Sequence, residues 1–145
     1  VKQLFKLLED KNYWYGKYLN SNEAFLQALV HAPEVALEEL ELFYGNRESL
    51  LKILEDLDEK IQLEVNKKGV SFEANSADRT LIQRFIREKD SMIQRIVEID
   101  EKILQLMEKL KAEGLEKIKL LGKGKKALAK YKSSHNYGDK IDKRI

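Results

Sequence analysis

Apolar residues recur along this chain at alternating steps of three and four. The longest such run goes from about Leu81 to Leu121, through Ile82, Phe85/Ile86, Met92/Ile93, Ile96, Ile99, Ile103, Leu106/Met107, Leu110 and Ile118. That spacing puts one continuous apolar stripe on a helix. About 40 residues at a rise of 1.5 Å make a rod of roughly 60 Å. A rod of that length predicts an all-α protein, an elongated antiparallel helical bundle or coiled coil. Ser76 is the expected N-cap of this long helix, with Asp78 in its first turn where the helix dipole favours negative charge. Gly114 interrupts the rhythm at a cost of about 1 kcal/mol, and the phase resumes at Ile118, so the helix is expected to pass through it.

The earlier segments carry the same rhythm. Val1 to Leu19 shows Leu4, Phe5, Leu8, Tyr15 and Leu19, flanked by Leu7, Trp14 and Tyr18. Asn20-Ser21-Asn22 reads as a stop and a new cap, followed by a helix from Glu23 to about His31. Pro33 suits the first turn of another helix and disfavours a helical residue 32. Apolar phase is kept across it, so a single kinked helix is almost equally compatible. Gly45-Asn46 predicts the end of that element. Leu50, Leu54, Leu57, Ile61 and Val65 define a further helix from about Arg47 to Lys67, closed by Gly69. Val70 to Asn75 reads as a polar loop with Phe72 tucked under the bundle. The expected organisation is a helical bundle over 1–121, then a hinge and basic tail over 122–145. Gly122 and Gly124 mark the hinge, and the tail is disordered in part or helical on contact.

Charge sharpens this division. Residues 109–145 hold twelve Lys/Arg and four Asp/Glu, whereas residues 1–108 hold fifteen and twenty-one. The bundle is acidic and the tail basic. Such a tail can attract nucleic acid, an anionic membrane or an acidic protein surface. The chain has no cysteine, which removes disulfides and thiolate metal sites and fits a reducing cytosol. No stretch of about 18 uncharged apolar residues suggests a membrane span, and no signal peptide is visible.

Catalytic chemistry finds little support. His31 and His135 stand alone, without a second histidine or an acid at metal-ligand spacing. Asp56-x-Asp58-Glu59 reads as a solvated helix face, because side chains at those spacings diverge. Gly122 to Lys126 lacks the first half of a phosphate-loop pattern and follows no strand. No enzyme activity, cofactor, metal or small-molecule substrate is expected. Tyr131 and Tyr137 sit among the tail lysines and could stack on bases, but arginine is nearly absent there, which disfavours nucleic acid. Tyr13, Trp14, Tyr15 and Tyr18 spread over more than one helical face. At least one must face outward, and Trp14 and Tyr15 are candidate anchors for a partner or a second copy.

The stretch from Arg87 to Ile145 resembles the FlgN/FliT-like class of flagellar export chaperones. The shared phrasing is Asp100-Glu101-Lys102-Ile103 on the long helix, the GKKALAKY segment from Gly124 to Tyr131, and Ile141-Asp142-Lys143 near the end. Gly45 to Ile61 is also similar. The resemblance implies a cytosolic, all-helical, non-enzymatic chaperone for type III secretion. Such a protein binds an amphipathic helix of a hook-filament junction or filament-cap subunit, prevents its premature assembly and delivers it to the export gate. On that reading Met92, Ile96, Ile99, Ile103 and Met107 line the client groove, while Leu128 and Tyr131 dock on the gate. The rival reading is a generic coiled-coil scaffold or dimerisation module. A weaker one is nucleic-acid or anionic-membrane binding through the tail.

Overall fold

The computed structural model describes residues 2–68 and 76–114. They form helices α1 (Lys2–His31), α2 (Pro33–Glu38), α3 (Leu40–Lys68) and α4 (Ser76–Ala112). The fold is all-α, as the apolar spacing predicts, and three long helices run side by side. α1 meets α3 head to tail: Lys11 pairs with Asp58 and Tyr18 with Arg47. α4 runs parallel to α1, with Asn12 bonded to the Phe85 carbonyl and Asn22 to Asp100. Consecutive long helices are therefore antiparallel. At 37 residues, α4 extends about 55 Å.

The core is built in layers, one residue from each long helix. Stepping by four and three from the observed contacts gives Leu4/Val65/Ile82, Leu8/Ile61/Ile86, Lys11/Asp58/Lys89 and Tyr15/Leu54/Ile93. The series continues with Tyr18/Leu51/Ile96, Asn22/Arg47/Asp100, Phe25/Tyr44/Ile103 and Leu29/Leu40/Met107. Every one of these residues is buried. The strict four-three alternation on all three helices is the seam of a coiled coil. α2 crosses one end and inserts Ala36 and Leu37 beside Leu29, Leu40 and Leu110. There Phe25 and Phe43 stack with ring centroids 3.9 Å apart.

Three expected boundaries differ from those observed. α1 does not stop at Asn20-Ser21-Asn22. Asn22 lies on the core seam, and its carboxamide donates to Asp100 across the bundle at 2.7 Å. The side chain that would have capped a new helix is thus engaged elsewhere, and burial of Tyr18 and Phe25 on either side keeps the helix running. α3 likewise continues through Gly45-Asn46. Both are exposed, while Phe43, Tyr44 and Arg47 on the inner face are buried. Their packing outweighs the roughly 1 kcal/mol a helical glycine costs.

α4, by contrast, ends at Ala112, short of Gly114, which adopts φ +92°. Glycine reaches that conformation freely. Glu113 and Gly114 donate their amides to carbonyls of Lys109, Leu110 and Lys111, closing the helix end. The physical reason is that Leu110 is already at the limit of the bundle. α1 ends at His31 and α3 begins at Leu40, so among the described residues neither long helix extends alongside a stripe beyond Leu110. The residues from Leu115 onward, and Phe72, lie outside the described residues.

Pro33 separates two helices rather than kinking one. Ala32 leaves the helical region at φ −147° and ψ 66°, and Pro33 opens α2, where its missing N–H costs nothing.

Gly16 and Gly45 both lie inside helices, and a Cβ added at either meets nothing within 4 Å. Gly16→Ala and Gly45→Ala are therefore each expected to raise stability by about 0.5–1 kcal/mol. Urea denaturation followed by circular dichroism checks this, and a loss of stability at either site would mean that the helix is not continuous there.

Candidate functional site

Two of the core layers are polar throughout. In the first, the Lys11 ammonium pairs with the Asp58 carboxylate, both nearly inaccessible to solvent. Lys89 completes the layer and reaches Asp90 at 3.1 Å. The Lys11 ammonium also lies 5.5 Å from the centre of the Tyr15 ring. The Tyr15 hydroxyl is buried with no hydrogen-bond partner among the described residues. Desolvation lowers the Lys11 pKa, with Asp58 opposing the shift, and raises that of Asp58 against the pull of Lys11.

The second layer is more fully bonded. Arg47 donates to Asp100 at 2.8 Å and to the Tyr18 hydroxyl at 2.8 Å. Asn22 donates to the other Asp100 oxygen. The guanidinium is sandwiched between the Tyr18 and Phe43 rings, 5.2 and 5.0 Å from their centres, a cation–π arrangement that suits arginine. Burial pushes both the Tyr15 and Tyr18 phenols well above their ordinary range, so both stay neutral.

Burial also raises the Asp100 carboxyl from 3.8 to about 6, with Arg47 and Asn22 opposing. An acid that holds its proton more tightly in the fold than in the unfolded chain gains stability as pH falls through about 6. The gain is complete near 3.8. The parent protein should accordingly gain stability, relative to Asp100→Asn, between about pH 7 and pH 4.5. Urea midpoints of both proteins across that range test it. Parallel pH trends in the two would exclude Asp100 as the titrating group.

The residues expected to bind a partner fall into three groups. Ile96, Ile99, Ile103, Met107 and Tyr15 are buried in the core. The groove expected on the long helix is instead the interior of the bundle, filled by α1, α2 and α3. Met92 and Trp14 are half-buried at the edges of the core. Met92 lies in an open groove between α1 and α4 with Asn12, Arg84, Arg87, Glu88 and Ser91. Leu128 and Tyr131 lie outside the described residues. The outward aromatic is Tyr13, 56% exposed, edge-on to Trp14 and beneath Lys17.

Asp58 corrects a second expectation. Asp56 and Glu59 are solvated, but Asp58 faces inward onto Lys11. The sequence did carry a signal for both layers. Lys11, Asn22, Arg47, Asp58, Lys89 and Asp100 each occupy a seam position flanked by apolar seam residues. A charge at such a position marks a buried polar layer.

Among the described residues no cluster of His, Asp or Glu is arranged to hold a metal ion, and no helix is long and apolar enough to cross a membrane. Large apolar side chains that are exposed include Val30, Val35 and Leu42. All three lie on the α1–α2–α3 corner at the end of the bundle where α4 terminates.

The fold and its layers define an all-α, heptad-packed bundle closed at one end by a short cross-helix. No protein-family model, curated protein or solved structure matches the chain.

Proposed function

We propose that this protein acts by binding other proteins, as a chaperone of the flagellar export type that receives an amphipathic helix of an axial subunit. The observation that carries the reading is the α2 corner. Val30, Val35 and Leu42 are exposed apolar side chains at one end of the bundle, whereas Tyr13 and Leu63 are exposed singly along it. α4 ends at that same corner, and the stretch that resembles the export chaperones takes in α4 from Arg87 onward and the later sequence, including Gly124 to Tyr131. An amphipathic helix with apolar residues at i, i+3, i+4 and i+7 suits such a surface. In this reading the client sits at the corner, because the seam of α4 is occupied by the protein's own helices. Leu128 and Tyr131 contact the export gate, with the tail lysines steering approach. The reading assigns no catalysis and places the protein in the cytoplasm.

The test is fluorescence anisotropy with purified C-terminal helices of hook-filament junction and filament-cap subunits. Val30→Glu combined with Val35→Glu and Leu42→Glu should weaken binding about tenfold or more, roughly 1.4 kcal/mol, with an unchanged melting temperature. Absence of binding by every axial-subunit helix would reject the chaperone reading. The closed core favours the second reading in that case, a coiled-coil scaffold whose outer faces meet its partners.

A further inference from the structure

We infer that the two polar layers form a register key that fixes the axial position of α4 against α1 and α3. The layers are Lys11/Asp58/Lys89 and Asn22/Arg47/Asp100, and they lie eleven positions apart on each of the three helices. All six side chains are buried.

Apolar packing alone specifies register weakly here. The seam of α4 repeats every heptad, so a slip of seven residues would again set Ile93, Ile103 and Leu110 in the apolar layers of Leu8, Tyr18 and Phe25, and the mismatches would come from the polar seam residues and from Gly114 at the end. The short α2 corner ties α1 to α3. α4 is joined to α3 through seven residues, 69–75, which can span up to about 23 Å. A heptad slip moves α4 by only about 10.5 Å. Connection length therefore leaves the slip open.

The polar layers close it. If α4 moved so that Ile96 took the place of Lys89, then Met107 would face Arg47 and Asn22. Asp100 would enter the apolar layer of Tyr15 and Leu54. The Arg47 guanidinium would lose the carboxylate it holds at 2.8 Å, and the Asp100 carboxylate would be buried without a cation. Uncompensated buried charge is among the costliest changes a core can undergo. The correct register pairs Asp58 with Lys11 and Asp100 with Arg47 at the same spacing on all three helices. A buried polar group that sets register at the expense of stability is the best-attested use of such groups.

Spin labels read the register directly. The chain has no cysteine, so Gln27→Cys and Gln83→Cys, both at exposed positions on α1 and α4, take the only two labels. Electron–electron distance measurement on the parent should give one population. The key is then moved one heptad along α4 by Lys89→Ile, Ile96→Lys, Asp100→Ile and Met107→Asp. The label distance should lengthen by about 10 Å, the rise of one heptad. A second variant replaces all six layer residues with leucine. It should melt at a higher temperature and show both distances. If the moved key fails to fold, the leucine variant decides. An unchanged single distance in either folded variant overturns the inference.

Discussion

Asp100→Ala is expected to destabilise the protein by about 3–5 kcal/mol, enough to unfold a large share of a marginal domain. The substitution removes the carboxylate that Arg47 holds at 2.8 Å and takes the acceptor from Asn22. Arg47 is 2% exposed and cannot turn to water. The cost is therefore dominated by the buried charge left behind rather than by the lost contact. Replacing the whole layer behaves differently. Asn22→Leu with Arg47→Leu and Asp100→Leu removes the charges together, and that variant should be as stable as the parent or more so. Urea unfolding of the two variants side by side is the measurement. A loss below about 1 kcal/mol for Asp100→Ala would mean that the layer is hydrated and behaves as a surface pair.

Ser21→Pro is expected to cost about 3 kcal/mol or more. Ser21 lies in the interior of α1, a helix of 30 residues. A proline there removes the amide donor to the Lys17 carbonyl, and its ring clashes with that carbonyl. Asn22 would be displaced from Asp100 as well. The same substitution would be tolerated if a new helix began at this point, since proline is favoured in a first turn. The variant thus separates a single α1 from the pair of helices that Asn20-Ser21-Asn22 suggests. Near-parent stability by thermal melting would show that the chain breaks there.

Both predictions arise where local signals and tertiary packing diverge. Asparagine and serine in succession are strong capping residues, yet Asn22 spends its side chain on a residue 78 positions away. Gly45-Asn46 is a turn signal, overridden by Phe43, Tyr44 and Arg47 on the buried face. Gly114 shows the opposite case. The apolar phase beyond it argues for continuation, but α1 ends at His31, α3 begins at Leu40 and Gly114 takes a positive φ. Local propensity is worth at most about 1 kcal/mol per residue, and burial of a single aromatic exceeds that. Continuity therefore follows from what lies opposite each turn of helix.

What the sequence by itself determined was the all-α class, the apolar stripe of each helix and the region about Ser76 where α4 begins, while at Pro33 it left one kinked helix and two helices both open. These follow from local properties, chiefly a periodicity that any helix must obey. The tertiary structure decided the inward faces of Ile96, Ile99, Ile103 and Met107, which the sequence alone could equally present to a partner. It decided that Asp58 pairs with Lys11, because an acidic helix position is solvated unless a cation on another helix meets it. It also decided that one register unites Lys11, Asp58 and Lys89, and Asn22, Arg47 and Asp100. A stripe names the residues that must be covered, but the layer each joins depends on the axial offset between helices, which no single helix encodes.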